Sequence, residues 1–246
     1  MKKLLYLACI WLVASSFTTI HLMGDSTMAE KDLKGGSNPE RGWGMMFQNF
    51  LDSEFQVVNY AQNGRSTKSF IDKGLWDKVY NALQPGDYVF IQFGHNDAKA
   101  DDPERYAPAF GAYQDNLRTF IRGAREKGAT PVLLTPVARR WFKNGQLDRN
   151  CHTDYPAAMK QVAQEEGVTL LDITTKSLDW LEGLGDDASK PYFMISTGKD
   201  DNTHTIARGA RKVTEMVCEA VREQIPAIGE HLVRYDIVVD QTGHGD

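Results

Sequence analysis

Residues 87–97 read Asp-Tyr-Val-Phe-Ile-Gln-Phe-Gly-His-Asn-Asp. The part from 87 to 93 is short, apolar and rich in β-branched and aromatic side chains, which predicts a buried strand. Pro85-Gly86 ahead of it is a turn signal, and Gly94-His95-Asn96-Asp97 behind it is a polar loop. Similar runs recur on both sides. Upstream, residues 18–23 end at Gly24-Asp25-Ser26-Thr27, and residues 55–60 end at Asn63-Gly64. Downstream, residues 130–135 end at Pro136, and residues 168–172 form a fifth run. Helical spacing fills the gaps. Leu117, Phe120, Ile121 and Ala124 share a face of a helix over 113–127, which Gly128 stops. A second helix covers 155–166 ahead of Gly167, and a third covers 206–223 with Val213, Met216, Val217 and Ala220 on one face. Strands alternating with helices predict an α/β fold in three layers, α/β/α, around a central five-stranded parallel sheet.

The chain is long enough for one substantial domain: 246 residues, 41% hydrophobic and 25% charged. Its net charge is −5 and it has no basic run, so nucleic acid is not expected as a partner. The first sixteen residues differ from the rest. Lys2 and Lys3 precede an apolar run over 4–14 that is too short to span a bilayer, and Ala14 and Ser16 suit cleavage after Ser16. The expected organisation is a signal peptide at 1–16, a single domain at 17–233 and a tail at 234–246. Residues 235–239 form a candidate edge strand within that tail. The mature protein is then secreted or periplasmic, with no membrane attachment. Export leaves Cys151 and Cys218, and an oxidising compartment permits a disulfide between them. Two unpaired thiols fit the sequence equally well, and neither cysteine has metal-site spacing.

In a parallel sheet with helices on both faces, ligands bind beyond the carboxyl ends of the strands. Four expected strand ends carry polar or glycine-rich segments there: Gly24-Asp25-Ser26, Asn63-Gly64-Arg65-Ser66, Gly94-His95-Asn96-Asp97 and residues 136–140. Ser26 sits where a strand is expected to give way to a helix, so its hydroxyl can point into a cleft. A serine nucleophile needs a base and a group that orients the base. Asp201-Asn202-Thr203-His204 supplies both in one loop. Acyl transfer also needs donors for the oxyanion, and the Ser26 N–H, the Gly64 N–H and the Asn96 amide qualify. Each feature alone has an ordinary explanation: a helix cap at 25–27, a turn glycine at 64, an Asx-turn at 96. Their co-occurrence in this order points to chemistry.

Gly24-Asp25-Ser26-Thr27, Asn63-Gly64-Arg65-Ser66, Gly94-His95-Asn96-Asp97 and Asp201-Asn202-Thr203-His204 resemble the four blocks of SGNH/GDSL hydrolases, in the same order. Residues 59–70, 86–97 and 135–142 are closer still to the rhamnogalacturonan acetylesterase branch of carbohydrate esterases. The resemblance implies a flavodoxin-like sheet, a Ser26–His204–Asp201 triad, an oxyanion hole from Ser26, Gly64 and Asn96, and neither metal nor other cofactor. His95, His21 and His152 compete for the role of base. His95 is expected to shape its loop, His21 to pack in the first strand, and His152 has no nearby acid pattern except Asp154. Asp97 is expected to be structural.

The resemblance also implies an acetylated polysaccharide as substrate, pectic rhamnogalacturonan first. Arg139 and Arg140 follow the fourth strand, and a guanidinium binds a carboxylate such as that of galacturonate in a forked geometry. Arg65 and Lys68 add positive charge, and Trp43 and Trp141 offer flat faces for sugar rings. Solvated charges and core aromatics are the alternative for each. Acetyl xylan or another glycan ester, glycan O-acetyl transfer, and non-catalytic carbohydrate binding stay open as other functions.

Overall fold

The computed structural model describes residues 17–234, so the expected leader at 1–16 and the candidate edge strand at 235–239 lie outside the described residues. Five strands form one parallel sheet: β1 (Thr18–Gly24), β2 (Phe55–Asn59), β3 (Tyr88–Gln92), β4 (Thr130–Leu134) and β5 (Thr169–Leu171). Their order is β2-β1-β3-β4-β5. This is the flavodoxin-type order, in which the crevice opens outside the carboxyl ends of β1 and β3. The register places the loops that follow side by side, because Gly24 pairs with Gln92 and Leu22 pairs with Asn59.

The main helices are α1 (Thr67–Asp72), α2 (Leu75–Ala82), α3 (Gln114–Glu126), α4 (Tyr155–Glu166), α5 (Ile173–Leu184) and α6 (Ala207–Gln224). Side chains alternate across the pleat and so feed two cores. Ile20 and Leu22 of β1, Phe90 of β3 and Val132 of β4 pack on Val213, Val217 and Val221 of α6. Met23, Val89, Ile91 and Leu133 face the other way, onto Phe70 of α1, Val79 of α2, Phe120 of α3 and Met159 of α4. His21 lies on that second face, buried, with its Nε2 3.0 Å from Asp87 Oδ2. It ties β1 to the start of β3 and takes no part in the rim.

The sequence pattern left out α1, α2 and α5. Helix α1 is short, and Ser66 caps it reciprocally with Ser69. Its first N–H, that of Thr67, donates to Asp97 Oδ1 at 2.9 Å, from thirty residues further along the chain. Gly74, at φ 65°, then separates α1 from α2. The start of α5 is rich in threonine, and it is capped by Asp172, which accepts from Thr175 N.

One expectation needs correction. Ser26 does not open a helix. Residues 25–29 form a single turn in which Met28 N and Ala29 N both donate to Asp25 O. The turn stops there because the 42–44 segment crosses it: Trp43 N donates to Thr27 O at 2.9 Å, and a Cβ on Gly42 would stand 2.3 Å from Ala29 O. Only glycine permits that crossing.

Candidate active site

The Asp25 carboxylate shapes the turn that carries Ser26. Its Oδ1 accepts from Thr27 N and Thr27 Oγ1, both at 2.9 Å, and its Oδ2 lies 3.0 Å from His95 Nδ1. Burial pushes this carboxyl up, but its attraction to His95 and the Thr27 bonds outweigh burial and hold it at about 2. Asp25 is therefore ionised, and burial lowers the pKa of His95 despite Asp25. His95 donates from Nδ1 to this ionised carboxylate. His152 is also buried, donates from Nε2 to Val137 O at 2.7 Å, and titrates well below the usual histidine range because of burial. Neither histidine forms a hydrogen bond to Ser26 among the described residues.

His204 does. Its Nε2 lies 2.7 Å from Ser26 Oγ, and its Nδ1 lies 2.7 Å from Asp201 Oδ2. Asp201 Oδ1 accepts from the backbone N–H groups of Thr203 and His204, both at 2.9 Å. Burial raises the Asp201 carboxyl, and these bonds together with His204 overcome it and leave it below its ordinary value. The loop is held from both sides. Ile195 N donates to Asp201 O, and Met194 N donates to His204 O. The two-residue strand Thr205–Ile206 pairs antiparallel with Glu40–Arg41, next to the segment that crosses the Ser26 turn. This ribbon brings residue 204 to residue 26.

The three expected oxyanion donors, the Ser26 N–H, the Gly64 N–H and the Asn96 amide, follow the adjacent strands β1, β2 and β3. Among the described residues, neither the Ser26 N–H nor the Gly64 N–H has an acceptor. Gly64 adopts φ 72°, and a Cβ there would meet only Arg105 Nη1 within 4 Å, at 3.9 Å, so the backbone is open to a ligand. Asn96 Nδ2 gives one N–H to Arg65 O at 2.9 Å, and Asn96 Oδ1 accepts from Arg105 Nη1 at 3.3 Å. These bonds fix which way round the amide sits, and the second Nδ2 hydrogen has no acceptor among the described residues.

A buried lysine joins these parts. Lys31 Nζ donates to Ser26 O at 2.7 Å and to Asn63 Oδ1 at 2.6 Å, and pairs with Glu40 Oε1 at 2.7 Å. One ammonium thus ties the Ser26 turn, the loop of Gly64 and the ribbon. Lysine is seldom buried unless it is paired in this way. Sequence reasoning missed it, because its three acceptors come from three separate segments.

The candidate substrate residues divide. Trp141 is 46% exposed and, with Arg139, lines a groove of about 760 Å³ beside His95. Trp43 is wholly buried, donates its Nε1–H to Gln92 Oε1 and packs edge-on to Phe47, so it is core and offers no face to a sugar. Arg140 is also corrected. It is buried, with Nε donating to Ser189 Oγ and the rest of its guanidinium bonded to Asn202 and Asp186. Its N–H groups brace the Asp201 loop from behind and are not presented to a ligand. Arg65 does not line the groove and contributes its carbonyl to Asn96. Lys68 pairs with Asp72. Cys151 and Cys218 are free and buried in separate clusters.

Asp97 does not reach the Ser26 turn. Its Oδ1 holds the start of α1, while buried Oδ2 has no hydrogen-bond partner. Burial raises this carboxyl to about 7, against the Thr67 bonds, which lower it. A carboxyl whose pKa is raised on folding contributes stability that is complete below the unfolded value and is lost as pH climbs through the folded one. Wild type is therefore expected to lose up to about 4 kcal/mol between pH 4 and pH 8 through this group. Asp97→Asn should flatten that slope. Urea unfolding of both proteins at pH 4, 6 and 8 checks it, and parallel curves would show that Asp97 is ionised throughout.

The GDSL-like Lipase/Acylhydrolase family model matches residues 22–212. The chain is 40% identical over 215 residues to the probable rhamnogalacturonan acetylesterase YesY of Bacillus subtilis strain 168, covering 87% of this chain and 97% of that one. It is 36% identical over 226 residues to the rhamnogalacturonan acetylesterase RhgT of the same organism, covering 87% and 94%. Among solved structures, the YXIM protein of Bacillus subtilis superposes with a TM-score of 0.74 at 26% identity, covering 85% of this chain and 57% of that longer one.

Proposed function

This chain belongs to the GDSL-like lipase/acylhydrolase family and is an ester hydrolase, and from that premise we propose that it removes O-acetyl groups from pectic polysaccharide, rhamnogalacturonan first, with Ser26, His204 and Asp201 performing the reaction. The observation that carries the chemistry is the unbroken chain of short contacts from Ser26 Oγ through the His204 ring to Asp201, 2.7 Å at each link. Asp201 takes the Nδ1 hydrogen and leaves Nε2 as an acceptor. Ser26 Oγ attacks the acetyl carbonyl as its proton passes to Nε2. The oxygen that gains charge is received by the Ser26 and Gly64 N–H groups and by Asn96 Nδ2. His204 then protonates the departing sugar hydroxyl, and water repeats the sequence on the acetyl-serine. Relatives named as rhamnogalacturonan acetylesterases support the substrate class.

The test is acetate release from acetylated rhamnogalacturonan, with acetylated xylan alongside, by wild type and Ser26→Ala. Release by wild type alone, and faster from the pectic polymer, is the expected outcome. Cleavage of an aryl acetate with neither polymer deacetylated would overturn the polysaccharide reading. Full activity in Ser26→Ala would overturn the assignment of the nucleophile. Export belongs to the same proposal, since a polymer of this kind is met outside the cell membrane. Amino-terminal sequencing of the exported protein should begin at Phe17, and a start at Met1 in fractionated cells would contradict it.

A further inference from the structure

Arg139 is a half-buried guanidinium that, among the described residues, has no carboxylate within ion-pair distance, and Asp25 and Asp201 attract it only from further off. Its Nη1 donates to Thr203 Oγ1 at 2.8 Å and its Nη2 to His95 O at 3.2 Å, both neutral acceptors. Its charge lies 5.0 Å from the centroid of the Trp141 ring. Guanidinium has five N–H donors, and the others have no acceptor among the described residues. Buried charge normally finds an opposite charge inside the protein.

Lys99 lines the same groove, and its ammonium forms no hydrogen bond or ion pair among the described residues. Two carboxylates share the groove's walls, Asp148 and Asp154, and neither forms an ion pair among the described residues. Asp102 is held by Arg105. Asp148 accepts from Asn150 N at 2.9 Å, and Asp154 is exposed at the start of α4. Burial lowers the pKa of Lys99, and repulsion from Arg105 and Arg139 lowers it further, against the pull of Asp102 and Asp101. Trp141 and Tyr106, which are 46% and 37% exposed, supply flat apolar faces on the same walls.

We propose that this groove is a subsite for a uronate residue of the substrate chain, whose carboxylate is taken by Arg139 and Lys99 while its ring lies against Trp141. The proposal rests on the reading of the site as a polysaccharide acetylesterase and adds the charge that the site reads. Arg139 then has two duties: it steadies the loop of His204 through Thr203 and presents its remaining N–H groups to the carboxylate. The Lys99 side chain bonds to no part of the triad or of the oxyanion donors; its only link to them is its backbone N–H, given to Asn96 O at 3.2 Å and kept in any substitution, so it is the residue to change.

The experiment uses unacetylated trigalacturonate as an inhibitor of aryl acetate hydrolysis, with xylotriose as the neutral comparator. Wild type should be inhibited by the acidic sugar and not by the neutral one, and less so at raised salt. In Lys99→Met the inhibition constant should rise about tenfold, the size of one charge-assisted hydrogen bond at a partly exposed site. Turnover of the aryl acetate should stay within about twofold, and Lys99→Arg should restore inhibition. Inhibition equal for both sugars, unchanged in Lys99→Met, or absent altogether would overturn the subsite. Acetate release from the polymer is measured separately, so inhibition without release would discard the pectic reading and keep the subsite.

Discussion

Asp201→Asn is expected to lower kcat on an aryl acetate by about four orders of magnitude while the protein stays folded. In the wild type, Oδ1 takes two backbone N–H bonds and Oδ2 takes the His204 Nδ1 hydrogen. Asparagine has one oxygen to cover both roles. The two backbone donors, Thr203 N and His204 N, are fixed by the loop and will keep it. The amide NH2 then faces His204 Nδ1, which must become an acceptor, so the ring hydrogen moves to Nε2. That puts a donor opposite the Ser26 hydroxyl, where an acceptor is required. The loop keeps its shape, since its carbonyls still bind Met194 and Ile195. Steady-state kinetics with circular dichroism, together with the downfield Nδ1 proton signal of His204, would check this. A loss below about a hundredfold would mean that the carboxylate orients a histidine it does not tautomerise.

Lys31→Met should cost both stability and rate, and it separates positioning from chemistry. Methionine keeps the apolar stem and deletes the ammonium. Ser26 O and Asn63 Oδ1 lose their donor, and Glu40 loses its charge partner. Removing one member of a buried pair costs about 3–5 kcal/mol, at the lower end here because Glu40 is partly exposed. The Ser26 turn and the Gly64 loop are then no longer held to each other, and a misplacement near 1 Å costs about a hundredfold in rate. We expect kcat to fall by about that factor with KM little changed, and Tm to fall by about 6–12 °C. Lys31→Arg should recover stability better than rate, because a forked guanidinium cannot meet the same three acceptors. A kcat unchanged in Lys31→Met would remove its positioning role.

The strands were legible because each is a compact apolar run, four of the five closed by a nearby glycine or proline, and the sheet order emerges only once they are paired. Helix α1 was not, because its first turn depends on Asp97, which arrives thirty residues later. The Ser26, Asp201 and His204 set could be read because short polar blocks at strand ends have one rim on which to meet. The ligand-facing residues could not. Arg139 and Arg140 are adjacent in sequence and follow the same strand, yet one lines the groove and the other is enclosed by Asp186, Ser189 and Asn202. Nothing local distinguishes them, since the difference is made by a segment fifty residues downstream. Trp43 was misjudged for a related reason: its indole N–H satisfies Gln92 in the core.

The ribbon of Thr205–Ile206 with Glu40–Arg41 has a temporal meaning as well as a spatial one. Ser26 and His204, which meet beside it, stand 178 positions apart in the chain. Until the ribbon closes during folding, Ser26 carries an ordinary alcohol with no imidazole against it. The contact between serine and imidazole is therefore one of the later events of folding, made only once two distant segments have zipped together.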